Sequence, residues 1–412
     1  MIIYTLRDDE EDIDGVDLIE LRSDRTHLIK HHKPYILTKN APQAGADYVD
    51  VEYPQDFSQI TQEFRNVKVI YSHHGPYLSK EKTFELIDQM FAKNPDIVKC
   101  CFDHIALDDY LDLLGLFRKY PKRLVMFAQG ELGQATRFIS YQLGARWIYT
   151  SKDGFCGQIP LNELLQVYHI RRLRETTQIF GLVKGPSSPP SVGYKLYNRF
   201  FYEQGIDAFY CNLIIEDRSV EKVLRSNFFS GLSVTMPYKE QACKYVDQKD
   251  PFVASCGSLN TVKNKKGYNT DCEILKRIQF KGKKVAIMGG GGVAKAYVEY
   301  LKSQSEVTVF VRNVKKVATE LSVQVLPIPK FLSGYDYLID TLPVTHVLND
   351  FDRAMHVIDV KLFFDQRYQN SNAFISGKDV FLAQGEKQMS IFLDQSVDLS
   401  TYYDTFDAML SS

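Results

Sequence analysis

Short runs rich in β-branched and aromatic residues recur at close intervals from the start of the chain: MIIYTL, VDLIEL, KPYILT, ADYVDVEY, KVIYSH, DIVKCC, RLVMFA and RWIYTS, eight in all by residue 151. Runs of this makeup, bounded by polar or turn-forming residues, predict strands. Between the later ones lie SKEKTFELIDQMFAKN, ALDDYLDLLGLFRKY and GQATRFISYQLG, and after the last comes PLNELLQVYHIRRLRE. Their apolar residues fall three and four apart, which predicts helices over 79–94, 106–120, 133–144 and 160–175. Eight strands alternating with helices point to an α/β fold of the (β/α)8 barrel type. The connections RSDRTHLIKHH and KNAPQAGA leave little room for helices after the second and third strands. The segment also falls short of the roughly 250 residues of a typical barrel. A trimmed barrel is expected.

The charged run HIRRLRETTQ closes this segment, and IFGLV at Ile179 starts another. Strands AFYCNLII, GLSVTM and SLNTV follow with helices between them, residues 283–375 read as a second βαβ system, and AQGEKQMSIFLDQ is helical. At about 150 residues per domain, 412 residues accommodate this pattern as three domains. The boundaries read as 1–176, then 177–278 completed by the closing helix in 383–412, then 279–382.

Composition narrows the function. Fifty basic and 51 acidic residues give a formal net charge of −1 and are mixed along the chain. That balance leaves no electrostatic footprint for nucleic acid or an anionic membrane and favours small-molecule substrates. The seven cysteines form no C-x-x-C pair, and Cys100 and Cys101 adjoin inside an apolar run, as in a reducing compartment. The opening MIIYTLRDDEEDIDG turns acidic after a few apolar residues, unlike a signal or transit peptide, and no apolar run approaches membrane-spanning length. The expected setting is cytoplasmic. No metal-ligand cluster stands out, and oligomeric state is not legible.

In a barrel, chemistry collects where strands end at the C-terminal face. Glu20 and Arg22 end the second strand, Glu52 the fourth and His74 the fifth; Lys99 lies in the sixth, and Arg137 and Gln158 follow the seventh and eighth. Lys99, flanked by Val98 and Cys100, either points into the barrel or snorkels from a strand edge to solvent. Inside, desolvation would lower its pKa and free it to attack a carbonyl as a Schiff-base nucleophile. An amine, an imidazole and a carboxylate on neighbouring strands make a working set for imine-assisted elimination.

DLIELRSD, DYVDVEY, YSHH, DIVKCC, GELGQATRF and FCGQIPLNEL resemble, in order, the motifs of type I 3-dehydroquinate dehydratases across almost all of 1–170. The resemblance implies that Lys99 forms an imine with the ring ketone of 3-dehydroquinate, that His74 moves protons and that Glu52 orients His74. Glu20, Arg22, Arg137 and Gln158 would grip the carboxylate and hydroxyls, Arg137 by a bidentate pair. Gly154 stands where the family's S-A-P-G-Q loop has serine.

Further along, KKVAIMGGGGVAKAYVEYL places four glycines between a strand and a helix. Gly289, Gly291 and Ala294 fit G-x-G-x-x-G/A, with Gly292 opening the helix, the arrangement that brings a helix N-terminus to a pyrophosphate. The next strand, EVTVFVR, ends in Arg312 instead of an acid, with Lys316 one helical turn on. Two cations there suit a 2′-phosphate, hence NADP, or form a solvated basic turn.

GLSVTMPYK, GSLNTV and GYNTD look like the G-x-N-V-T-x-P-x-K, G-A-x-N-T and N-T-D motifs of shikimate dehydrogenases, and PSVGYKLYN is similar to that family's S-x-S-P-x-x-H-N segment, covering about 178–395. This resemblance implies a two-lobed enzyme with a Rossmann-like NADP domain. Lys239 and Asp271 would form the polar pair at the reacting alcohol, and Ser191, Thr235, Asn260 and Gln384 would hold the substrate. Departures are numerous: Ser233 stands for asparagine, Gly193 for serine, Tyr194 for proline and Tyr197 for histidine, DTLPVT replaces N-A-T-P-x-G, and the tyrosine expected near Leu362 is absent.

The product of the first family is the substrate of the second, so the expectation is a fused lyase and oxidoreductase of the shikimate pathway. The alternative is a quinate or shikimate dehydrogenase carrying a non-catalytic barrel scaffold.

Overall fold

The computed structural model of the chain describes residues 1–6, 13–22, 34–38, 46–63, 66–342, 350–362, 368 and 371–411. Strands β1 (Ile2–Thr5), β2 (Leu18–Arg22), β3 (Tyr35–Thr38), β4 (Tyr48–Glu52), β5 (Lys68–Gly75), β6 (Ile97–Phe102), β7 (Leu124–Ala128) and β8 (Ile148–Ser151) coincide with the eight runs. All pair in parallel, in the order β7-β6-β5-β4-β3-β2-β1-β8, with the two-residue β9 (Ile159–Pro160) beyond β8. This is the strand order of the expected eight-stranded α/β barrel. The two connections with little room for helices fall mostly outside the described residues.

Alternation along each strand decides what the interior contains. The inward set begins with Ile3, Leu18, Ile36, Ile70, Ile97, Val125 and Trp147, which pack as one cluster. Two residues further toward the C-terminal ends of five of these strands, the same parity delivers Thr5, Glu20, Thr38, Ser72 and Lys99, and on β4 it delivers Asp50 and Glu52. The barrel is apolar below and polar at its mouth.

Helices α1 (Ser58–Glu63), α2 (Lys80–Phe91), α3 (Leu107–Asp112), α4 (Gly115–Lys119), α5 (Gln134–Leu143) and α6 (Leu161–Gln166) follow β4 to β9. The helix expected over 106–120 is divided between α3 and α4. The one expected over 160–175 ends at Gln166, because His169 adopts a left-handed φ of 46°. The remaining turn buries Ile170 while Arg171 reaches Asp17 at 3.2 Å. Among the described residues, β7 and β8 share no ladder. Side chains of α5 satisfy β7 there: the Ser140 hydroxyl accepts the Met126 N–H at 3.0 Å and the Thr136 hydroxyl accepts the Ala128 N–H at 2.9 Å.

The chain divides into two compact units, Met1–Leu182 with Pro189–Ser226, and Val183–Ser188 with Asn227–Ser412. Beyond the barrel, the first unit holds most of β10 (Gln178–Lys184), α7 (Gly193–Glu203), β11 (Ala208–Ile214) and α8 (Val220–Arg225). These pack on the barrel helices: Phe138 meets Phe209 edge-on at 4.8 Å, Tyr168 stacks on Tyr194 at 5.2 Å, and buried Asp108 accepts hydrogen bonds from Ser219 and Arg218.

The second unit begins with β12 (Gly231–Val234), β13 (Gln248–Lys249), α9 (Pro251–Cys256), β14 (Thr261–Lys263) and β15 (Lys266–Tyr268). The doubly wound part follows: β16 (Lys284–Met288), α10 (Gly292–Leu301), β17 (Glu306–Val311), α11 (Val314–Ala318), β18 (Gln324–Pro327), β19 (Phe331–Leu332), β20 (Tyr337–Asp340), β21 (Asp350–Phe351), β22 (His356–Asp359) and β23 (Ala373–Ile375). The chain ends in α12 (Gly377–Leu393) and α13 (Phe406–Ser411). The parallel sheet runs β18-β17-β16-β20-β22-β23 and is buried on both faces, Val285 and Ile287 packing to one side and Ala286 and Met288 to the other. Strand order reverses between β16 and β20, and ligands of such sheets bind at the carboxyl ends beside that reversal. No described helix is long and apolar enough to cross a membrane.

Thr136→Val keeps the side chain's volume but leaves the buried Ala128 N–H without its acceptor. Urea denaturation should show the first unit destabilised by about 1–3 kcal/mol; an unchanged midpoint would mean that β7 does not depend on α5 for its edge.

Candidate active sites

The barrel brings together the residues singled out on its strands. Cross-strand register aligns Glu52 with Ser72 and Ser72 with Lys99, and His74 with Cys101. Lys99 is 4% exposed, which settles its direction in favour of the interior. Its ammonium contacts Asp50, lies 3.8 Å from Glu20 and sits 5.2 Å from the centre of the Tyr149 ring. The expected fall in its pKa is corrected here. Burial alone would lower it, but Asp50, Tyr149 and Glu20 together hold the amine well above its ordinary value. Lys99 therefore rests as an ammonium and has to pass a proton on before it can act as a nucleophile. Asp50 is the acceptor in contact with it; sequence reasoning passed over it although YVDVE carries it at the same parity as Glu52.

Glu52 grips His74 twice, accepting the backbone N–H at 2.9 Å and the ring Nδ1 at 2.6 Å, with Ser72 at 3.3 Å. Burial pushes the Glu52 carboxyl up, but the bonds from His74 outweigh it and hold the group below its usual value. A carboxylate only accepts, so Nδ1 must donate and the neutral ring keeps its Nε2 lone pair for proton transfer. His73 lies at the other parity, paired with Cys100; burial lowers its pKa despite Glu52.

Around the mouth, Glu20 accepts from Thr5 at 2.8 Å, and the Gln158 amide donates to Thr5 at 3.1 Å while its buried carbonyl oxygen has no partner among the described residues. Arg137, 3% exposed on α5, donates one bond to the Cys156 carbonyl at 3.1 Å and lies 4.3 Å over Phe127, and its Nε has no partner among the described residues. Burial lowers its pKa to about 10. A buried guanidinium with an unsatisfied N–H is suited to a carboxylate ligand. Arg22 closes β2, but its side chain lies outside the described residues. Gly154 has φ 74°, a left-handed conformation that disfavours the serine expected there.

In the second unit Lys239 donates to both oxygens of Asp271 at 2.8 Å, with Asp271 3% exposed. The β14–β15 hairpin interlocks two motifs beneath this pair: Asn260 Nδ2 donates to Asp271 at 3.0 Å and to Thr270 at 3.0 Å, and its oxygen accepts the Thr270 N–H at 3.0 Å. The Asn260 amide is thus spent on Asp271 and its neighbour Thr270. Thr235 and Gln384 are half-buried, and Ser191 falls in the first unit. The glutamine that fastens α12 to this lobe is Gln388, which accepts from Ser233 at 2.7 Å and donates to the Asn260 carbonyl at 3.1 Å and the Thr261 hydroxyl at 2.8 Å.

The glycine loop lies against the same place. Gly289 takes φ 108°, and a Cβ on it would meet the Thr341 hydroxyl at 2.4 Å; a Cβ on Gly292 would stand 2.7 Å from the Ser258 hydroxyl and 3.2 Å from the Lys239 Cβ. Side chains are excluded where the loop approaches β20 and the ion pair. Gly291 precedes α10, whose first turns hold Gly292 and buried Ala294. These features fit a dinucleotide pyrophosphate at a helix N-terminus. Arg312 and Lys316 are exposed around α11, which Asn313 caps by accepting the Lys316 N–H at 3.1 Å.

Sequence reasoning missed a charged cluster at the carboxyl ends of β20 and β22. Asp340 and Asp359 are in register, Lys361 contacts Asp340 and lies 2.8 Å from Asp359, and Tyr368 donates to Asp340 at 2.6 Å. Asp340 thus replaces an asparagine with a cation supplied two residues past the next strand. The i, i+2 spacing of Asp359 and Lys361 was the available signal. Burial pushes Asp359 up to about 6, against the pull of Lys361. Among the described residues, no group of His, Cys, Asp and Glu could hold a metal ion.

With Asp359 raised from 3.8 to about 6 on folding, its contribution to stability is fully present below pH 3.8 and is lost as pH rises through 6. Asp359→Asn should remove that decline. Urea unfolding of both proteins across this range should show the wild type losing stability relative to the variant; parallel curves would refute the assignment.

Two family models match the chain: type I 3-dehydroquinase over residues 26–175 and the shikimate dehydrogenase substrate-binding domain over 187–262. The chain is 26% identical over 325 residues to the chloroplastic bifunctional 3-dehydroquinate dehydratase/shikimate dehydrogenase of Arabidopsis thaliana, covering 68% of this chain and 53% of that protein. It therefore spans about half the length of this relative. It is 30% identical to a shikimate dehydrogenase (NADP+) of Caldicellulosiruptor bescii over 50% of this chain and 79% of the relative. A solved shikimate dehydrogenase in complex with NADP+ aligns with a TM-score of 0.50 at 21% identity, over 57% of this chain and 96% of the other, and shares the fold.

Proposed function

We propose, from the premise that the chain belongs to the shikimate dehydrogenase family and carries a type I 3-dehydroquinase region ahead of it, that it is a bifunctional enzyme. The first unit dehydrates 3-dehydroquinate to 3-dehydroshikimate, and the second reduces that product to shikimate with NADPH. The observation that carries this reading is the convergence of Lys99, Asp50, Glu52 and His74 at one barrel mouth. The free cysteines support a cytoplasmic setting.

In the barrel, Arg137 and Gln158 hold the substrate's carboxylate and a hydroxyl through the atoms left without partners. Lys99 yields a proton to Asp50 and attacks the ring ketone. The resulting iminium draws electrons from the neighbouring carbon, whose proton His74 Nε2 removes. The same imidazolium then protonates the departing hydroxyl, and water hydrolyses the imine. Glu52 keeps the ring oriented and stabilises its charged form.

In the second unit Gly289, Gly291, Gly292, Ala294 and the N-terminus of α10 would hold the pyrophosphate of NADPH, and Arg312 and Lys316 its 2′-phosphate. The bound cofactor supplies hydride. Lys239, held by Asp271, delivers the proton to the ketone oxygen, and Thr235 contributes to substrate binding.

Purified protein given 3-dehydroquinate alone should oxidise NADPH. Lys99→Ala should abolish that activity, and the covalent adduct trapped by borohydride, while still reducing 3-dehydroshikimate. Absence of an adduct on the wild type would sink the imine mechanism. Arg312→Ala should weaken NADPH by roughly tenfold or more and leave NADH nearly unchanged in steady-state KM; equal losses would remove its role at the 2′-phosphate.

A further inference from the structure

Tyr149 is an inward-facing residue of β8, aligned with Ile3 of β1, 3% exposed, and its buried hydroxyl has no hydrogen-bond partner among the described residues. An orphaned phenol is costly in a barrel interior, where every other described polar side chain named at the mouth has a partner for at least one of its atoms. Its position is specific. Lys99 Nζ lies 5.2 Å from the centre of its ring, and the ring touches Phe127, which itself lies beneath Arg137. The Tyr149 ring thus neighbours both the proposed nucleophile and, through Phe127, the proposed carboxylate clamp.

Building on the imine reading of the barrel, we infer that the Tyr149 hydroxyl is a catalytic hydrogen-bond donor to the ketone oxygen of the substrate while Lys99 attacks the carbonyl carbon. When the Lys99 lone pair forms the new N–C bond, the carbonyl π pair moves to oxygen, and negative charge develops one bond from the nitrogen. A donor preplaced at that oxygen stabilises the charge without reorganisation. Protons balance without Tyr149 giving one up. An ammonium and a ketone become an iminium and water, and both hydrogens of that water come from the nitrogen, the first by way of Asp50.

Burial raises the phenol well above its ordinary value, against the pull of Lys99 and with Glu20 and Asp50 adding to the rise. Tyr149 stays protonated through the cycle, as a donor must, and is unsuited to acid–base work. That division leaves proton transfer to Asp50 and His74.

The test is single-turnover trapping with borohydride. Wild-type protein mixed with 3-dehydroquinate should accumulate the Lys99 adduct, and Tyr149→Phe should accumulate it roughly 10²–10³-fold more slowly. A circular-dichroism spectrum and a urea midpoint matching the wild type report that the barrel is folded. Should Tyr149→Phe fail that check, Tyr149→3-fluorotyrosine decides, since it is a stronger donor of nearly the same shape: trapping at or above the wild-type rate supports the role, and slower trapping overturns it. A Tyr149→Phe variant that traps at the wild-type rate, or changes only KM, also overturns it. Absence of an adduct on the wild type would instead remove the imine reading itself, and the Tyr149 role with it.

Discussion

A charged amine cannot stand alone inside a β-barrel, and that constraint organises the first unit. The alternation that turns Ile97 and Cys101 inward turns Lys99 inward too, far from the water its ammonium needs. Desolvating one charge costs several kcal/mol unless a partner is in contact. Asp50 and Glu20, each at the inward parity of its own strand, meet that requirement. The same carboxylates make Lys99 an ammonium at rest. On the proposed imine mechanism, the arrangement that stabilises the fold also sets the first chemical step, a proton transfer that precedes nucleophilic attack.

The second unit solves a similar problem with a different device. Lys239 is held by both oxygens of Asp271, and Asn260 spends its two donors bracing that carboxylate and its neighbour Thr270. Here the hairpin register, and not a barrel wall, brings the partners together. The glycine loop then comes close enough that residue 292 has no room for a side chain. The first turn of α10 thus lies against the Lys239 side chain, so the proposed pyrophosphate site and the Lys239–Asp271 pair adjoin.

Much of this was legible in the sequence. Strands announce themselves through β-branched and aromatic runs, and all eight barrel strands and the βαβ system fall where the pattern puts them. Helix ends were harder to read: nothing in PLNELLQVYHIRRLRE marks His169 as the left-handed residue that breaks the pattern, because Ile170 and Leu173 keep the apolar spacing while turning into the core by another route. Lys99, Glu52 and His74 stood out because charged residues in apolar runs are conspicuous. Asp50 and Tyr149 did not, since an aspartate before a glutamate and a tyrosine in a strand read as ordinary until parity is followed strand by strand. The direction of the Lys99 shift was beyond sequence reasoning altogether, because it depends on which carboxylates lie across the barrel.

The departures from family motifs have local causes. Tyr194, in a proline's place, stacks on Tyr168 of the barrel region within the first unit. Ser233, in an asparagine's place, bonds Gln388 and so ties α12 to the lobe. Asp340, also in an asparagine's place, is matched by Lys361 and Tyr368. In each case the new side chain has a partner from another segment, so the substitution and its partner form a unit that neither position explains alone. Lys99 and Asp271 have less latitude: both are buried against an opposite charge, and removing the half-buried Lys239 would strand the Asp271 carboxylate in the interior. Each of these departures thus carries a partner that restores what the substitution removes, and at Asp340 that partner is the cation which makes a carboxylate tolerable in the interior.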